Sequence, residues 1–97
     1  MTESVPVVDG EGRIRVLCVD DHRLVLDGLA LIIGGQLDLE VVGAATSGEE
    51  AIALFRLRRP DVTLMDLQLP GMSGLETIQA IRRDRPPSAM HLANHAK

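Results

Sequence analysis

Ninety-seven residues allow one small domain. A net charge of −4 argues against binding nucleic acid through this chain's surface, because neutralising phosphates takes clustered Lys and Arg. A single cysteine, Cys18, excludes an internal disulfide, and a single aromatic residue, Phe55, means that the core must be aliphatic.

Residues 1–12, MTESVPVVDGEG, read as a flexible acidic lead-in carrying Pro6, Gly10 and Gly12. The segment lacks a basic start and an apolar centre, so it does not read as a secretory signal. No apolar run reaches membrane-spanning length. Together these features lead us to expect a cytoplasmic protein with no membrane partner.

Arg13–Val19 (RIRVLCV) has the continuous apolar character of a strand buried on both faces of a parallel sheet. Cys18 lies inside that run and reads as a small buried hydrophobe rather than a redox group. The strand ends on two carboxylates, Asp20 and Asp21. A helix is expected from Asp21 or His22 to about Ile33. Gly34-Gly35 ends it, since glycine readily takes the left-handed conformation used at helix C-termini. Leu24, Val25, Leu26, Leu29, Ala30, Leu31, Ile32 and Ile33 cover more than the stripe of about 100° that a one-sided surface helix needs. Leu24 and Leu31 are therefore expected to face something other than the sheet. His22, next to the acidic pair, is placed to approach those carboxylates, but it reads first as a solvated residue at the helix start.

Leu39–Ala45 is the second strand. Ser47 and Glu50 match a capping box, in which each side chain satisfies a backbone N–H of the other. Ala51, Leu54 and Phe55 share one face of the helix that follows. Arg56, Arg58 and Arg59 form a solvated face that also favours the C-terminal dipole, and Pro60 stops the helix. Val62–Met65 is a short buried strand ending in Asp66. A Pro70-Gly71 turn follows, Met72 reads as a packing residue, and Ser73 with Glu76 repeats the capping-box pattern. The third helix is expected to turn Leu75, Ile78 and Ile81 inward and to end near Asp84.

Strands alternating with helices predict an α/β fold with a parallel sheet. In such a sheet the carboxyl ends of neighbouring strands lie on one edge, where open α/β folds place their ligands. Asp20, Asp21 and Asp66 would then converge. Like charges held that close cost energy unless a cation neutralises them. An all-oxygen cluster suits a hard cation such as Mg²⁺.

Three stretches, VLCVDDHRLVLDGLALII, SGEEAI and PDVTLMDLQLPGMSGLETIQAIR, together resemble the receiver domain of bacterial two-component response regulators, in particular the subfamily with a helix-turn-helix output domain. The resemblance covers roughly Arg13 to Arg83. It implies a flavodoxin-like (CheY-like) open parallel sheet in which the first three strands are ordered 2-1-3. It implies that Asp66 accepts a phosphoryl group from a sensor histidine kinase. It further implies that Asp20, Asp21 and Asp66 hold Mg²⁺ with the backbone carbonyl of Gln68, and that the chain signals rather than acting as an enzyme.

From Arg85 the pattern departs. Receiver domains continue with a fourth strand ending in Ser or Thr and a fifth ending in Lys. Here the sequence reads RPPSAMHLANHAK. Ala89–Leu92 reads as a weak fourth strand, and residues 85–97 as a divergent tail. Asn94 falls near the place of the family's Ser or Thr, and its amide can donate to a phosphoryl oxygen. Lys97 falls too early for the family's lysine. His91 and His95 have the spacing of a helical metal pair, but Pro86-Pro87 point to a frayed tail instead. The chain thus reads as a truncated receiver with a core over 13–84: impaired in phosphotransfer, and inclined to form a homodimer through its sheet edge and its apolar first helix. Two other functions compete: a dimerising remnant that does not signal, and a hydrolase with an aspartyl nucleophile of the haloacid-dehalogenase type. The latter places an Asp two residues after the nucleophile, and here that residue is Gln68.

Overall fold

The structure, a computed structural model, describes residues 12–84 and 91–94. The chain alternates strand and helix: β1 (Ile14–Val19), α1 (Arg23–Gly34), β2 (Leu39–Ala45), α2 (Gly48–Arg58), β3 (Val62–Met65), α3 (Gly74–Asp84) and β4 (His91–Asn94). All pairings are parallel, in the order β2-β1-β3-β4. The parallel α/β sheet is the one expected from the alternation, and its order is the flavodoxin-like one that the resemblance implies.

The two faces of β1 explain its unbroken apolar run. Leu17 and Val19 point into a core with Phe55 and Ala51 of α2, Met65, and Ile78 and Ile81 of α3. Val16 and Cys18 point the opposite way, against Leu26 and Ile33 of α1. Phe55 is fully buried, a gain of about 1.5–3 kcal/mol over leaving it in water. β2 carries one extra residue opposite Val16 and Leu17. There Gly43 lets the Leu17 side chain approach, since a Cβ at residue 43 would lie 3.1 Å from its Cδ1.

Several local expectations need correction. α1 starts at Arg23, with His22 at its N-cap, and its terminal Gly35 is right-handed (φ −81°), not left-handed. The left-handed helix end belongs to α2 instead, at Arg59 (φ 52°). Several bonds hold Arg59 in that costly conformation: its N–H donates to the Phe55 carbonyl, and its own carbonyl accepts from the Arg15 guanidinium at 2.8 Å. Asp61 completes the clamp, its N–H donating to the Arg15 carbonyl and its carboxylate accepting from the Arg15 N–H. The capping box at Ser47 is shifted by one residue. Ser47 Oγ accepts from the Glu50 N–H, but the Glu50 carboxylate accepts from the N–H of Thr46, not of Ser47. At α3 the box is reciprocal, Ser73 with Glu76.

In α3, Leu75 is exposed, and Thr77 takes the buried position expected for it. The Thr77 hydroxyl is satisfied internally by donating to the Ser73 carbonyl at 2.8 Å. It also lies where a Cβ on Gly48 would fall, so α2 and α3 can pack only with glycine at residue 48. Met72 flanks the same spot, in keeping with a packing role. Within the described residues β4 runs on past the expected Leu92 to Asn94; Ala89 and Met90 lie outside the described residues. This puts His91 in a strand, in neither a helical metal pair nor a frayed tail; His95 and Lys97 lie outside the described residues. On α1, Leu24, Leu31 and Ile32 are 76%, 79% and 67% exposed, so its outer face meets nothing among the described residues.

Candidate functional site

The sheet register builds the site. Val19 pairs with Ala45 on one side and Met65 on the other, and Met65 pairs with Asn94. All four strands therefore end level, on one edge. The Asp20 N–H donates to the Ala45 carbonyl and the Asp66 N–H to the Val19 carbonyl, each at 3.0 Å. These bonds carry the ladder one residue past the strands and fix the backbone of both aspartates. Asp20 and Asp66 are fully buried, while Asp21 is half-buried at the rim.

The two buried carboxylates are held alike. Asp20 Oδ1 accepts from the N–H of His22, and Asp66 Oδ1 from the N–H of Gln68, both at 2.9 Å. Each aspartate thus turns its carboxylate back onto its own loop, the local bond that makes Asx residues good turn formers. One oxygen of each is held in a set direction before any ligand arrives.

α3 abuts the Asp66 loop closely. A Cβ on Gly74 would lie 2.5 Å from the Asp66 carbonyl oxygen and 2.6 Å from the Leu67 Cα. The glycine is required for space, and it lets the first turn of α3 press against the backbone that carries Asp66.

Sequence reasoning ranks one member of the site too low. His22 reads first as a solvated helix-start residue. It does stand at the N-cap with a half-exposed ring, but Nδ1 lies 2.9 Å from Asp20 Oδ1 and 3.0 Å from Asp21 Oδ1. Its position directly after the acidic pair was the available signal. Ligand atoms of Asp20, Asp21, His22 and Asp66 all lie within 4.8 Å of one another. Three carboxylates that close, two of them buried, form a donor set that fits a small hard divalent cation such as Mg²⁺. Gln68 follows in the Asp66 loop with its side chain exposed. Asn94 is brought to the same edge as the register partner of Met65. Cys18 lies beneath the site with its thiol pushed up to about 11 by burial, which keeps it protonated and inert.

The response regulator receiver domain family matches residues 16–95. The response regulator GacA of Pseudomonas viridiflava is 47% identical over 73 residues, 75% of this chain and 34% of that protein. The response regulator protein VraR of Staphylococcus aureus is 45% identical over 73 residues, covering 75% and 35%. The chain therefore spans about a third of the length of these curated relatives. Among solved structures, a LuxR-family two-component response regulator from Aurantimonas superposes with a TM-score of 0.77 at 32% identity, covering 88% of this chain and 61% of that one. The response regulator domain of Thermotoga maritima CheB gives 0.75 at 35% identity, covering 84% and 60%.

Proposed function

Because the chain belongs to the response regulator receiver domain family, we propose that it accepts a phosphoryl group on Asp66 from a histidine kinase, with Mg²⁺ held beside it. The observation that carries this reading is the level strand edge, which sets buried Asp66 beside Asp20 and Asp21. In the reaction an Asp66 carboxylate oxygen attacks phosphorus, the bond from phosphorus to the donor breaks, and an aspartyl phosphate forms. Asp20, Asp21 and Asp66 would hold the ion, with the Gln68 backbone carbonyl as a further ligand. Bound there, Mg²⁺ would offset the negative charge of the transferring group. The Gln68 N–H orients Asp66, and the first turn of α3, pressed against the Asp66 backbone at Gly74, keeps the loop in place. The Asn94 amide is our candidate donor to a phosphoryl oxygen.

The chain on this reading is a signalling component, not an enzyme that turns over substrate. An aspartyl-nucleophile hydrolase needs an acid/base two residues after the nucleophile, and an amide at Gln68 cannot exchange a proton in that way. We take 13–84 as the receiver core, 1–12 as a lead-in, and 85–97 as a divergent segment that contributes the fourth strand. Among the described residues no helix is long and apolar enough to cross a membrane, and we place the protein in the cytoplasm with its kinase. A polypeptide of these 97 residues has Lys97 as its only lysine, and we expect it to accept phosphate slowly. We also expect such a polypeptide to pair as a homodimer through the exposed Leu24, Leu31 and Ile32.

The test is incubation with a small acyl phosphate, with and without Mg²⁺, followed by intact mass. Gain of one phosphoryl group only when Mg²⁺ is present supports the reading. No gain after prolonged incubation at high donor concentration would defeat it.

A further inference from the structure

Resting on the reading of Asp20, Asp21 and Asp66 as a divalent-cation site, we propose that Thr77 is a positioning residue for it. Thr77 closes a ring of contacts that fixes where Asp20 stands relative to Asp66. The ring can be followed bond by bond. The Asp66 N–H donates to the Val19 carbonyl, and the Asp20 N–H to the Ala45 carbonyl, each at 3.0 Å. Beyond Ala45, Ser47 caps α2, whose first residue is Gly48. Two bonds stiffen that stretch: the Thr46 N–H donates to the Glu50 carboxylate at 2.8 Å, and the Glu50 N–H to Ser47 Oγ at 3.1 Å. Gly48 faces the Thr77 hydroxyl so closely that no Cβ fits between them. Thr77 in turn grips the start of α3, donating to the Ser73 carbonyl from its hydroxyl at 2.8 Å and from its N–H at 2.9 Å. Gly74, next to Ser73, lies against the Asp66 carbonyl and Leu67 Cα, and the ring is complete.

Gly48 and Thr77 join the Asp20 side of this ring to the Asp66 side. α2 and α3 also share the core around Phe55 and Ile81, but Gly48 and Thr77 stand in their first turns, at the helix ends next to the carboxylates. The contact is stiff. Thr77 is fully buried, and its oxygen cannot turn away from Gly48 without breaking the bond to Ser73. A small cation is sensitive to such spacing. Mg²⁺ holds its ligands at about 2.0–2.1 Å in near-ideal octahedral geometry, and a site left about 1 Å too loose fails even with every ligand present. A slide of α3 against α2 would move Asp66 relative to Asp20 and cost affinity, with no ligand removed.

The experiment follows Mg²⁺ binding to the full chain by amide NMR shifts and, without metal, hydrogen exchange at the Asp20 and Asp66 N–H groups. Substitutions that act on a site from a distance change its affinity by a factor of about 2–30. Thr77→Ala is expected to weaken Mg²⁺ within that range and to speed exchange at both amides. Thr77→Ser keeps the oxygen and its bond to Ser73, and is expected to rescue both. Gly48→Ala reads the same contact from the other helix and should also weaken Mg²⁺, so the test does not hang on one variant folding. In the double variant Gly48→Ala, Thr77→Ala, the new methyl fills the place of the hydroxyl, and Met72, which flanks the spot, has a flexible end that can shift. Its affinity should recover above that of either single variant. Ile33→Val, in the core on the opposite face of the sheet, should lower stability and leave Mg²⁺ affinity in place. Unchanged affinity or exchange in Thr77→Ala, no rescue by serine, losses that simply add in the double variant, or an equal loss of affinity in Ile33→Val would mean that Thr77 only packs the core, and would overturn the inference. Failure of the unaltered chain to bind Mg²⁺ would overturn the cation-site reading itself, and the inference with it.

Discussion

Replacing Gly74 by alanine adds one methyl group where α3 meets the Asp66 loop. An added Cβ would lie 2.5 Å from the Asp66 carbonyl oxygen, 2.6 Å from the Leu67 Cα and 3.1 Å from the Asp66 carbonyl carbon. Ordinary contact begins near 3.4 Å, so helix and loop must separate by roughly 0.9 Å. The obstacle is backbone, which cannot rotate aside as a side-chain end can. Overpacking of this kind costs about 1–3 kcal/mol. Alanine is the better helix former by about 1 kcal/mol, but residue 74 is the first of the helix, where that gain is smallest. Gly74→Ala should therefore lose about 1–2 kcal/mol in urea denaturation, taking the lower part of the overpacking range. Gly28→Ala is the control: it lies inside α1 with nothing within 4 Å of the added methyl, and should gain about 0.5–1 kcal/mol. Gly74→Ala should also weaken Mg²⁺ binding, because the displaced backbone carries Asp66. A Gly74→Ala chain as stable as the unaltered one, with unchanged Mg²⁺ affinity, would refute the coupling of helix to loop.

Thr63 is fully buried, and among the described residues its hydroxyl has no hydrogen-bond partner; Thr63→Val should raise thermal stability, by about 1–3 kcal/mol if the full desolvation penalty is recovered. The Cys18 thiol, raised from 9.0 to about 11 by burial, should resist alkylation in the folded chain at neutral pH and react on unfolding. Its pH dependence has a fixed sign: above pH 9 the unfolded chain releases this proton first, so the Cys18 contribution to stability is present below that pH and is lost as pH rises toward 11. For the 97-residue polypeptide, light scattering coupled to size exclusion should give twice the chain mass at micromolar concentration, with Leu31→Glu shifting it toward single-chain mass; a stable single-chain species before substitution would contradict the pairing.

The elements and the site edge were legible because they rest on period and position. β1 and β3 each have an apolar run that stops at a carboxylate, and parallel register then brings Asp20 and Asp66 together with no further information. The misplaced details depend on contacts that period and position do not announce. Arg59 takes the left-handed end of α2 because Arg15, forty-four residues away in sequence, holds its carbonyl; no local preference for arginine foretells that. Leu75 continues an apolar spacing, yet α3 rolls so that Thr77 faces inward, since the Thr77 hydroxyl can be satisfied within its own helix. Gly74 serves as a contact point with the Asp66 loop, a role that no local spacing announces. His22 follows the acidic pair directly, and of its two readings, approach to the site and a solvated helix start, the ring contacts with Asp20 and Asp21 favour the first.

The central claim is that Asp66 is the residue that takes the phosphoryl group. The direct measurement is peptide mapping after acyl-phosphate treatment with Mg²⁺, with the aspartyl phosphate trapped by borohydride reduction. The account predicts a single modified position, residue 66, and no modification in Asp66→Asn. Modification at Asp20, Asp21 or His22, or undiminished modification of Asp66→Asn, would contradict it.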